Sequence, residues 1–351
     1  MKAMVCMKYG PPEVLQLKEV KKPIPKNNEI LIKVHATPVS FGDTLVRHFN
    51  VISPRKFHMP FLFWLVGKIY FGFRKPKIPI LGSEFSGEVE SVGKDVNRFS
   101  KGDPVFGYRG PRMGAYAEYL CMPENGVVAP KPANMSYEEA ASVPYGAIMA
   151  LNVLRKANLQ PGQKILVNGA SGGIGPAVVQ LARSHFGAIV TGVCSTPRLE
   201  YVRSLGAEKV IDYTREDFIN SGETYDCIVD ILGKSSFARC QRSLKPNGRC
   251  FFVSFKMRQV FQMLWTSMSG GRKAVCVVSN EKAEDLTFLK DLIEAGEIKT
   301  IIDRCFPLEQ AADAHRYVEQ GHKKGNIVIT LGHADKTLSQ DSQPCAKGGV
   351  D

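Results

Sequence analysis

Lys164-Ile-Leu-Val-Asn-Gly-Ala-Ser-Gly-Gly-Ile-Gly175 is the stretch of sequence that decides the fold. Its first five residues form an apolar run typical of a buried strand, and Pro176 to Arg183 continue with the apolar face of a helix. Small residues in the turn permit the close approach of a pyrophosphate, while the helix N-terminus offers unpaired N–H groups. The segment therefore predicts a dinucleotide-binding turn; a glycine turn without a ligand is the alternative. The predicted contacts are Ala170, Ser171, Gly172, Gly173, Ile174 and Gly175.

Apolar strands alternate with amphipathic helices from Gly162 onward, which indicates a parallel sheet covered on both faces. A helix is expected to follow Leu286 and to end near Gly296. Six strands match a complete doubly wound Rossmann sheet. Their predicted bounds are Lys164–Asn168, Ile189–Val193, Lys209–Ile211, Cys227–Asp230, Cys250–Ser254 and Ala274–Val278.

The first 130 residues have a different pattern, in which short β-branched runs such as Glu29–His35 and Gly87–Gly93 are separated by Gly, Pro and Asn. This pattern predicts a largely antiparallel β domain. The segment Gly325–Leu331 is again strand-like, and we expect it to return to that domain. The predicted α/β architecture has a β-rich catalytic domain at 1–130 and about 305–331, a dinucleotide-binding domain at 131–304, and a flexible tail at 332–351.

The residues that follow the second strand of the parallel sheet decide which dinucleotide binds, because an acidic residue there would hold the ribose 2′-hydroxyl of NAD. This chain has none at that position, and Ser195 and Arg198 follow the strand instead. The planar guanidinium group suits a phosphate dianion, so the sequence predicts NADPH. Tyr213, after the third strand, is a further candidate to flank the same phosphate. The alternative is that Arg198 merely begins a surface helix.

The composition is that of a globular protein with two domains. A length of 351 residues is long for one core, and the hydrophobic fraction of 44% and charged fraction of 23% are ordinary. The net charge is +12, but no nucleic-acid-binding module surrounds the basic residues, so we expect no nucleic-acid partner. A basic surface that attracts an anionic cofactor or an anionic membrane explains the charge equally well.

The nine cysteines are scattered along the chain, and no two have the CxxC spacing of a zinc or redox site. The residues from Met1 to Cys6 lack the long apolar core of a secretory signal. Thiols in this number fit a reducing compartment, and we therefore expect a cytoplasmic location.

Three further stretches carry a family resemblance, and they are Tyr9 to Leu17, Pro79 to Val89 and Ser204 to Tyr213. Together with the glycine-rich turn, they resemble the quinone oxidoreductase branch of the medium-chain dehydrogenase/reductase superfamily, over residues 1 to about 331. The resemblance implies a GroES-like fold for the β-rich domain. It also implies a homodimer that pairs through the dinucleotide-binding domain.

Zinc-bearing relatives in this superfamily carry a Cys where this chain has Ser40, and a Gly-His-Glu where it has Gly82-Ser83-Glu84. Serine hydroxyls are poor zinc ligands beside thiolate and imidazole, so we expect no catalytic metal. The chain also departs from the quinone reductase pattern. Ser40, followed by Asp43, replaces an Asn, and Met149 replaces a Thr near the nicotinamide, so the substrate contacts of the family cannot be transferred.

A site without zinc lacks the Lewis acid that reversible alcohol oxidation needs. Quinones and α,β-unsaturated carbonyls accept a hydride readily, so we predict hydride transfer from NADPH to an apolar acceptor of this kind. The resemblance places Ser40, Asp43 and Tyr108 in or near turns that face the cleft, as candidates for orientation or proton relay. For Asp43, a helix cap before Thr44 is an equal alternative. A zinc-free alcohol or aldehyde dehydrogenase and a non-catalytic NADPH-binding protein are the competing functions.

An aromatic and basic stretch is unusual. The span 51–77 contains six Lys or Arg and no acidic residue. As a helix, Met59–Phe73 would extend roughly 22 Å, shorter than the ~30 Å hydrocarbon core of a membrane, so it does not cross one. Residues 57–77 have three interpretations: a lid over the site, peripheral contact with an anionic membrane, or a subunit contact or core segment. A second apolar stretch, Val260–Met268, is a candidate for the facing wall of a site for a large hydrophobic substrate.

Overall fold

The computed structural model describes residues 1–54, 57, 59–321 and 323–332. The predicted tail, from 333 onward, and Arg55, Lys56 and His58 of the aromatic stretch lie outside the described residues. Within those described ranges, no helix is long and apolar enough to cross a membrane.

The strands fall into two sheets and one separate pair. Their bounds are β1 Lys2–Cys6, β2 Leu15–Glu19, β3 Glu29–Pro38, β4 Glu84–Val92, β5 Pro104–Tyr108, β6 Tyr119–Pro123, β7 Val128–Pro130, β8 Lys164–Asn168, β9 Ile189–Cys194, β10 Lys209–Asp212, β11 Tyr225–Asp230, β12 Leu244–Phe252, β13 Lys273–Cys276, β14 Ile302–Pro307 and β15 Asn326–Thr330. The helices are α1 Phe41–Arg47, α2 Phe61–Phe71, α3 Tyr137–Ala141, α4 Pro144–Ala157, α5 Gly175–Ser184, α6 Leu199–Ser204, α7 Phe237–Cys240, α8 Met257–Met268, α9 Ala283–Glu294 and α10 Ala311–Glu319.

The first sheet is built mainly from the N-terminal part of the chain. Its order is β14-β15-β3-β4-β5-β7, with β6 also paired to β3, while β1 and β2 form their own antiparallel pair. β14 and β15 are parallel to each other, and β15 runs antiparallel to β3, with Val328 opposite Pro38. The C-terminal strand therefore returns to the β-rich part of the molecule, as the sequence predicts.

The second sheet is parallel throughout and has the order β10-β9-β8-β11-β12-β13. This is the doubly wound order that the six predicted strands imply, so the predicted fold class is confirmed. β8 has the predicted bounds, and β12 begins at Leu244, six residues earlier than predicted. β12 begins this early because Leu244 pairs with Tyr225 of β11. A register shift separates this pair from the rest of the β11–β12 ladder.

The two sheets meet at a shared core. The largest cluster of buried side chains joins α4 and α5 to the second sheet, and it includes Phe106 and Ala129 from the β-rich part. α4 has a continuous buried face, including Ile148, Leu151 and Leu154, none of which is exposed. This packing fixes the positions of the β-rich part and the parallel sheet on either side of a cleft.

The two apolar stretches that the sequence identifies both form helices. α2 begins after Pro60 and ends before Gly72, whose φ of 107° is one that side-chain-bearing residues rarely adopt. α8 contains the whole of Val260–Met268. Both helices are shorter than the hydrocarbon core of a bilayer, as the sequence predicts for the first of them.

Candidate functional site

The glycine-rich turn connects β8 to α5 at the carboxyl edge of the parallel sheet. Gly169 has a φ of 95°, and its N–H and that of Ala170 both donate to the carbonyl of Val193 at the end of β9. A Cβ at Gly175 would lie only 2.2 Å from the Gly169 carbonyl oxygen, so the helix starts directly against the turn. Glycine at position 175 is required for that close approach.

One side of the turn is closed and the other is open. Ala170 and Ile174 are buried in the core, whereas Ser171 and Gly172 are partly exposed and Gly173 is exposed. A Cβ at Gly173 would meet no atom within 4 Å. The open side therefore leaves room beside the backbone N–H groups at the start of α5, which is the place that a dinucleotide pyrophosphate needs. The residues present fit a pyridine nucleotide.

The predicted residues for the ribose phosphate converge beside this turn. Ser195 and Tyr213 directly follow β9 and β10, which are paired at Cys194 and Asp212, and Tyr213 is 61% exposed. Arg198 lies one short turn later, and its Nη2 donates to the Gly321 carbonyl at 3.0 Å. The chain thus brings a fixed guanidinium and an exposed phenol ring to one strand edge.

The Asp212 carboxylate also lies at this strand edge, and its hydrogen bonds bear on whether it can bind a ribose hydroxyl. Asp212 is buried and accepts hydrogen bonds from the hydroxyls of Thr196 and Thr214. These bonds, with the Thr196 contribution the largest, lower the pKa of Asp212. Because its oxygens are already bonded to protein donors, it differs from the free carboxylate that would grip a ribose hydroxyl.

Lys323 is a basic residue that the sequence analysis missed. It lines the same small cavity as Ser171, Gly172 and Gly173. Burial and the nearby Arg198 guanidinium lower the pKa of Lys323. No local pattern marks this lysine, because it reaches the turn through the return of β15 to the first sheet.

Ser40 and Asp43 form a capping box at the start of α1. Ser40 Oγ lies 2.6 Å from Asp43 Oδ2, the Ser40 N–H donates to the same oxygen, and Asp43 Oδ1 accepts from the Gly82 N–H at 3.0 Å. Asp43 has no exposed surface, and burial raises its pKa. The structure therefore places Asp43 in the cap, while partly exposed Ser40 lies between the cap and open space.

A buried chain of polar groups supports this cap from behind. Tyr116, which is hydrogen-bonded to Asp43, has its hydroxyl 3.0 Å from His315 Nε2, and Arg47 donates to His315 Nδ1 at 2.8 Å. Arg47 also forms an ion pair with Glu319. Burial, followed by the Arg47 charge, lowers the pKa of His315 to about 3. The imidazole is therefore neutral, and it holds the proton on Nε2 because Arg47 can only donate.

Tyr108 lies beside a second tyrosine, Tyr145. Its ring centroid lies 5.4 Å from that of Tyr145, with an angle of 31° between the planes. Glu84, opposite Tyr108 in the β4–β5 ladder, accepts from the Tyr145 N–H at 2.8 Å. Burial raises the pKa of Glu84 to about 8. Burial raises the pKa of both tyrosines, and the Glu281 carboxylate from the parallel-sheet part adds to this effect.

The donors at the position of a family zinc site do not fit that metal. Ser40 Oγ is hydrogen-bonded to Asp43, and Ser83 is buried, with its carbonyl accepting from the Arg109 N–H. Within the described part of the chain, no three or more His, Cys, Asp or Glu side chains cluster in a way that could hold a metal ion. Hydroxyl groups in place of thiolate and imidazole leave a weak donor set.

Comparison with known proteins identifies the family of this chain. Residues 26–133 match the alcohol dehydrogenase GroES-like domain, and residues 205–329 match the zinc-binding dehydrogenase family. The chain is 33% identical to 2-methylene-furan-3-one reductase of Solanum lycopersicum, over 94% of this chain and 79% of that protein. It belongs to the medium-chain dehydrogenase/reductase superfamily, in the quinone oxidoreductase-like branch. The family resemblance seen in the sequence is confirmed, and the protein is an oxidoreductase.

One further relative and one solved structure cover nearly all of this chain. The NADPH-dependent alkenal/one oxidoreductase of Arabidopsis thaliana chloroplasts is 31% identical over 94% of this chain and 79% of that protein. The structure of the quinone oxidoreductase from Coxiella burnetii has a TM-score of 0.80 and 29% identity, and it covers 95% of this chain and 99% of that one. The likeness therefore extends over the β-rich part and the parallel sheet together.

Proposed function

We propose that this oxidoreductase uses NADPH to reduce a quinone or an α,β-unsaturated carbonyl, and that it does so without zinc. The observation that carries the proposal is the strand edge beside the open glycine turn. There the Arg198 guanidinium is held by the Gly321 carbonyl, and the neighbouring Asp212 carboxylate is already bonded to hydroxyl groups. This arrangement favours a 2′-phosphate over a 2′-hydroxyl.

NADPH, when bound, supplies the hydride. The chain would hold its pyrophosphate at residues 171–173 and at the N-terminus of α5, with Lys323 beside them. Arg198, Ser195 and Tyr213 would surround the adenosine ribose phosphate. The Tyr108 and Tyr145 pair would give a flat acceptor a surface on which to stack.

Ser40 is our proposed donor to the oxygen of the acceptor. Its hydroxyl is partly exposed, and burial raises the pKa of Asp43 behind it. Ser40 Oγ lies 2.6 Å from Asp43 Oδ2, so Asp43 would act as a positioning residue that orients Ser40 without contacting the acceptor. Quinones and enones suit this arrangement because their charge delocalises onto an oxygen that a hydroxyl can stabilise. The enone and alkenal reductases among the relatives support this class of acceptor.

Steady-state oxidation of NADPH tests the proposal with a panel of naphthoquinones, 2-alkenals and saturated aldehydes, with NADH measured in parallel. We expect turnover with quinones or alkenals and a lower kcat/KM with NADH. Turnover with saturated aldehydes alone would indicate an alcohol or aldehyde dehydrogenase. Tight binding of NADPH without turnover of any acceptor would indicate a non-catalytic binding protein.

A further inference from the structure

Helices α2 and α8, although almost 200 residues apart in the chain, form one continuous exposed surface. The Phe63 ring on α2 packs edge-to-face against Phe255, just before α8, with the centroids 6.4 Å apart. Met59, just before α2, packs in the same cluster as Val260 and Met263 of α8. We call the outward face of the two helices the apolar surface.

The apolar surface exposes large side chains that soluble proteins normally bury. On α2, Leu62, Val66 and Ile69 are 65%, 55% and 53% exposed, and on α8, Leu264 and Trp265 are 54% and 68% exposed. Single exposed apolar residues are common, but a contiguous group on two adjacent helices marks an interaction site.

The orientation of α2 is opposite to that of an ordinary surface helix. Lys68 is its one charged residue, and the side chain turns inward, where its Nζ donates to Asn50 Oδ1 at 3.0 Å and lies 5.5 Å from the centroids of both Phe49 and Trp64. Burial lowers the pKa of Lys68. A surface helix in water presents its charges to solvent and its apolar side to the core. This helix is therefore built for an apolar medium on its outer side.

Close contacts at the middle and at the end of α2 hold the helix against the rest of the protein in this orientation. A Cβ at Gly67 would lie 2.6 Å from the Phe49 ring, which shows that helix and ring are in direct contact. The Tyr9 hydroxyl donates to the carbonyls of Phe71 and Gly72 at the end of the helix. The helix cannot turn its apolar face inward without breaking these contacts.

The net positive charge of the protein is concentrated in the two segments that carry these helices. Residues 44–83 and 231–280 contain 16 of the 46 Lys and Arg and none of the 34 Asp and Glu. In the rest of the chain, acidic residues outnumber basic ones. Exposed Lys75 and Lys77 follow α2, and exposed Lys256 and Arg258 flank the start of α8. An apolar face flanked by these exposed basic residues is complementary to anionic headgroups above hydrocarbon.

We propose that the apolar surface docks the protein on a lipid bilayer with anionic headgroups. Each helix is 11 or 12 residues long, roughly 16–18 Å, so the two would lie in the interface and not cross it. A second copy of the chain fits the surface less well, because a symmetric contact would bring basic segments against each other without an acidic partner. Trp265 and Tyr70 add the amphipathic rings typical of a membrane interface.

Vesicle flotation of the full-length protein tests this proposal, with phosphatidylcholine vesicles compared with vesicles that also contain phosphatidylglycerol. We expect flotation with the anionic vesicles that weakens as salt is raised. The double variant Leu62→Glu/Leu264→Glu should reduce the bound fraction at least tenfold, roughly the effect of losing two buried leucines. Ile24→Glu is the matched control, because Ile24 is 78% exposed but lies outside both helices.

Three results would overturn the proposal. The first is no flotation with anionic vesicles at low salt. The second is a loss of the bound fraction in Ile24→Glu that equals the loss in the double variant. The third is concentration-dependent self-association of the wild type that the double variant abolishes. The last result would assign the surface to a second copy of the chain. Melting temperatures of all variants establish that they fold, and because flotation does not require turnover, the result is independent of the proposed enzymatic function.

Discussion

Arg198 is the residue to which we assign the proposed preference for NADPH, because the Gly321 carbonyl holds its guanidinium in place. We expect Arg198→Ala to raise the Kd for NADPH by about tenfold to a hundredfold, the effect of losing a charge-assisted hydrogen bond of about 1.5–3 kcal/mol. The Kd for NADH should change little, because NADH lacks the phosphate. Titration of each variant with both nucleotides, followed by fluorescence, gives these constants.

Arg203→Ala is the matched control for this measurement. Arg203 lies on α6, five residues further on, and forms an exposed ion pair with Glu200. Its removal should leave both constants unchanged, since exposed ion pairs contribute little. Equal losses for NADPH in both variants, or no loss in Arg198→Ala, would show that the phosphate is bound elsewhere.

His315 determines part of the pH dependence of stability. Its pKa is about 3 in the folded protein and 6.5 for an unperturbed histidine, so only the unfolded chain takes up a proton as the pH falls below 6.5. Stability is therefore complete above pH 6.5 and is lost as the pH falls towards 3. Between about pH 7.5 and 5.5 this residue should lower the free energy of unfolding by about 1.4 kcal/mol.

Urea unfolding at these two pH values checks the assignment. His315→Gln should be less stable at both, because the bonds to Arg47 and Tyr116 are altered, but the difference between the two pH values should shrink by about 1.4 kcal/mol. An unchanged difference would mean that His315 does not titrate as its buried position implies.

At the scale of elements, two glycines of one turn have different roles. A Cβ at Gly175 would lie 2.2 Å from the Gly169 carbonyl oxygen, whereas one at Gly173 would enter open space. We expect Gly175→Ala to lower the melting temperature, because the helix must move away from the turn. Gly173→Ala should retain the wild-type melting temperature but weaken NADPH binding, because its methyl group enters the space of the pyrophosphate.

Thermal unfolding with and without NADPH separates these two effects. We expect NADPH to stabilise Gly173→Ala less than it stabilises the wild type. Full stabilisation of Gly173→Ala by NADPH would place the cofactor on another side of the turn.

Helices and strands can be predicted from the sequence where the residue pattern is compatible with only one secondary structure. The six parallel strands were recognised because each is an apolar run bounded by turn residues, and β8 has the predicted bounds. The sequence alone does not decide the role of Asp43, because an aspartate before Thr44 suits both a helix cap and a position that faces the cleft. The inward direction of Lys68 was not predictable, because α2 is apolar on nearly every side and periodicity then gives no preferred face.

At the scale of the whole molecule, the site depends on contacts between distant segments. Lys323 and Gly321 reach the glycine turn and Arg198 only because β15 pairs with β3, and no spacing in the sequence encodes that proximity. The domain boundaries and the homodimer stay predictions. β13 forms an edge of the parallel sheet, and the N–H groups of Ala274 and Cys276 on its outer side already donate to Thr266 and Met263 of α8.

The whole-molecule architecture also relates the apolar surface to the cleft. Phe255 follows β12 at the carboxyl edge of the parallel sheet, which is the edge that carries the glycine turn, and it contacts Phe63 of α2. The proposed membrane-facing surface and the proposed cofactor site therefore lie on neighbouring parts of one edge. A lipophilic acceptor suits both features.

We propose a reductase that needs no zinc, and its turnover after the metal is removed tests this proposal. The measurement is the rate of NADPH oxidation by a naphthoquinone, with the zinc content determined, before and after dialysis against a strong zinc chelator. We expect an unchanged rate with no zinc bound, because Ser40 and Ser83 stand where thiolate and imidazole ligands would be needed. A rate that falls with the zinc content and returns when zinc is added would contradict it.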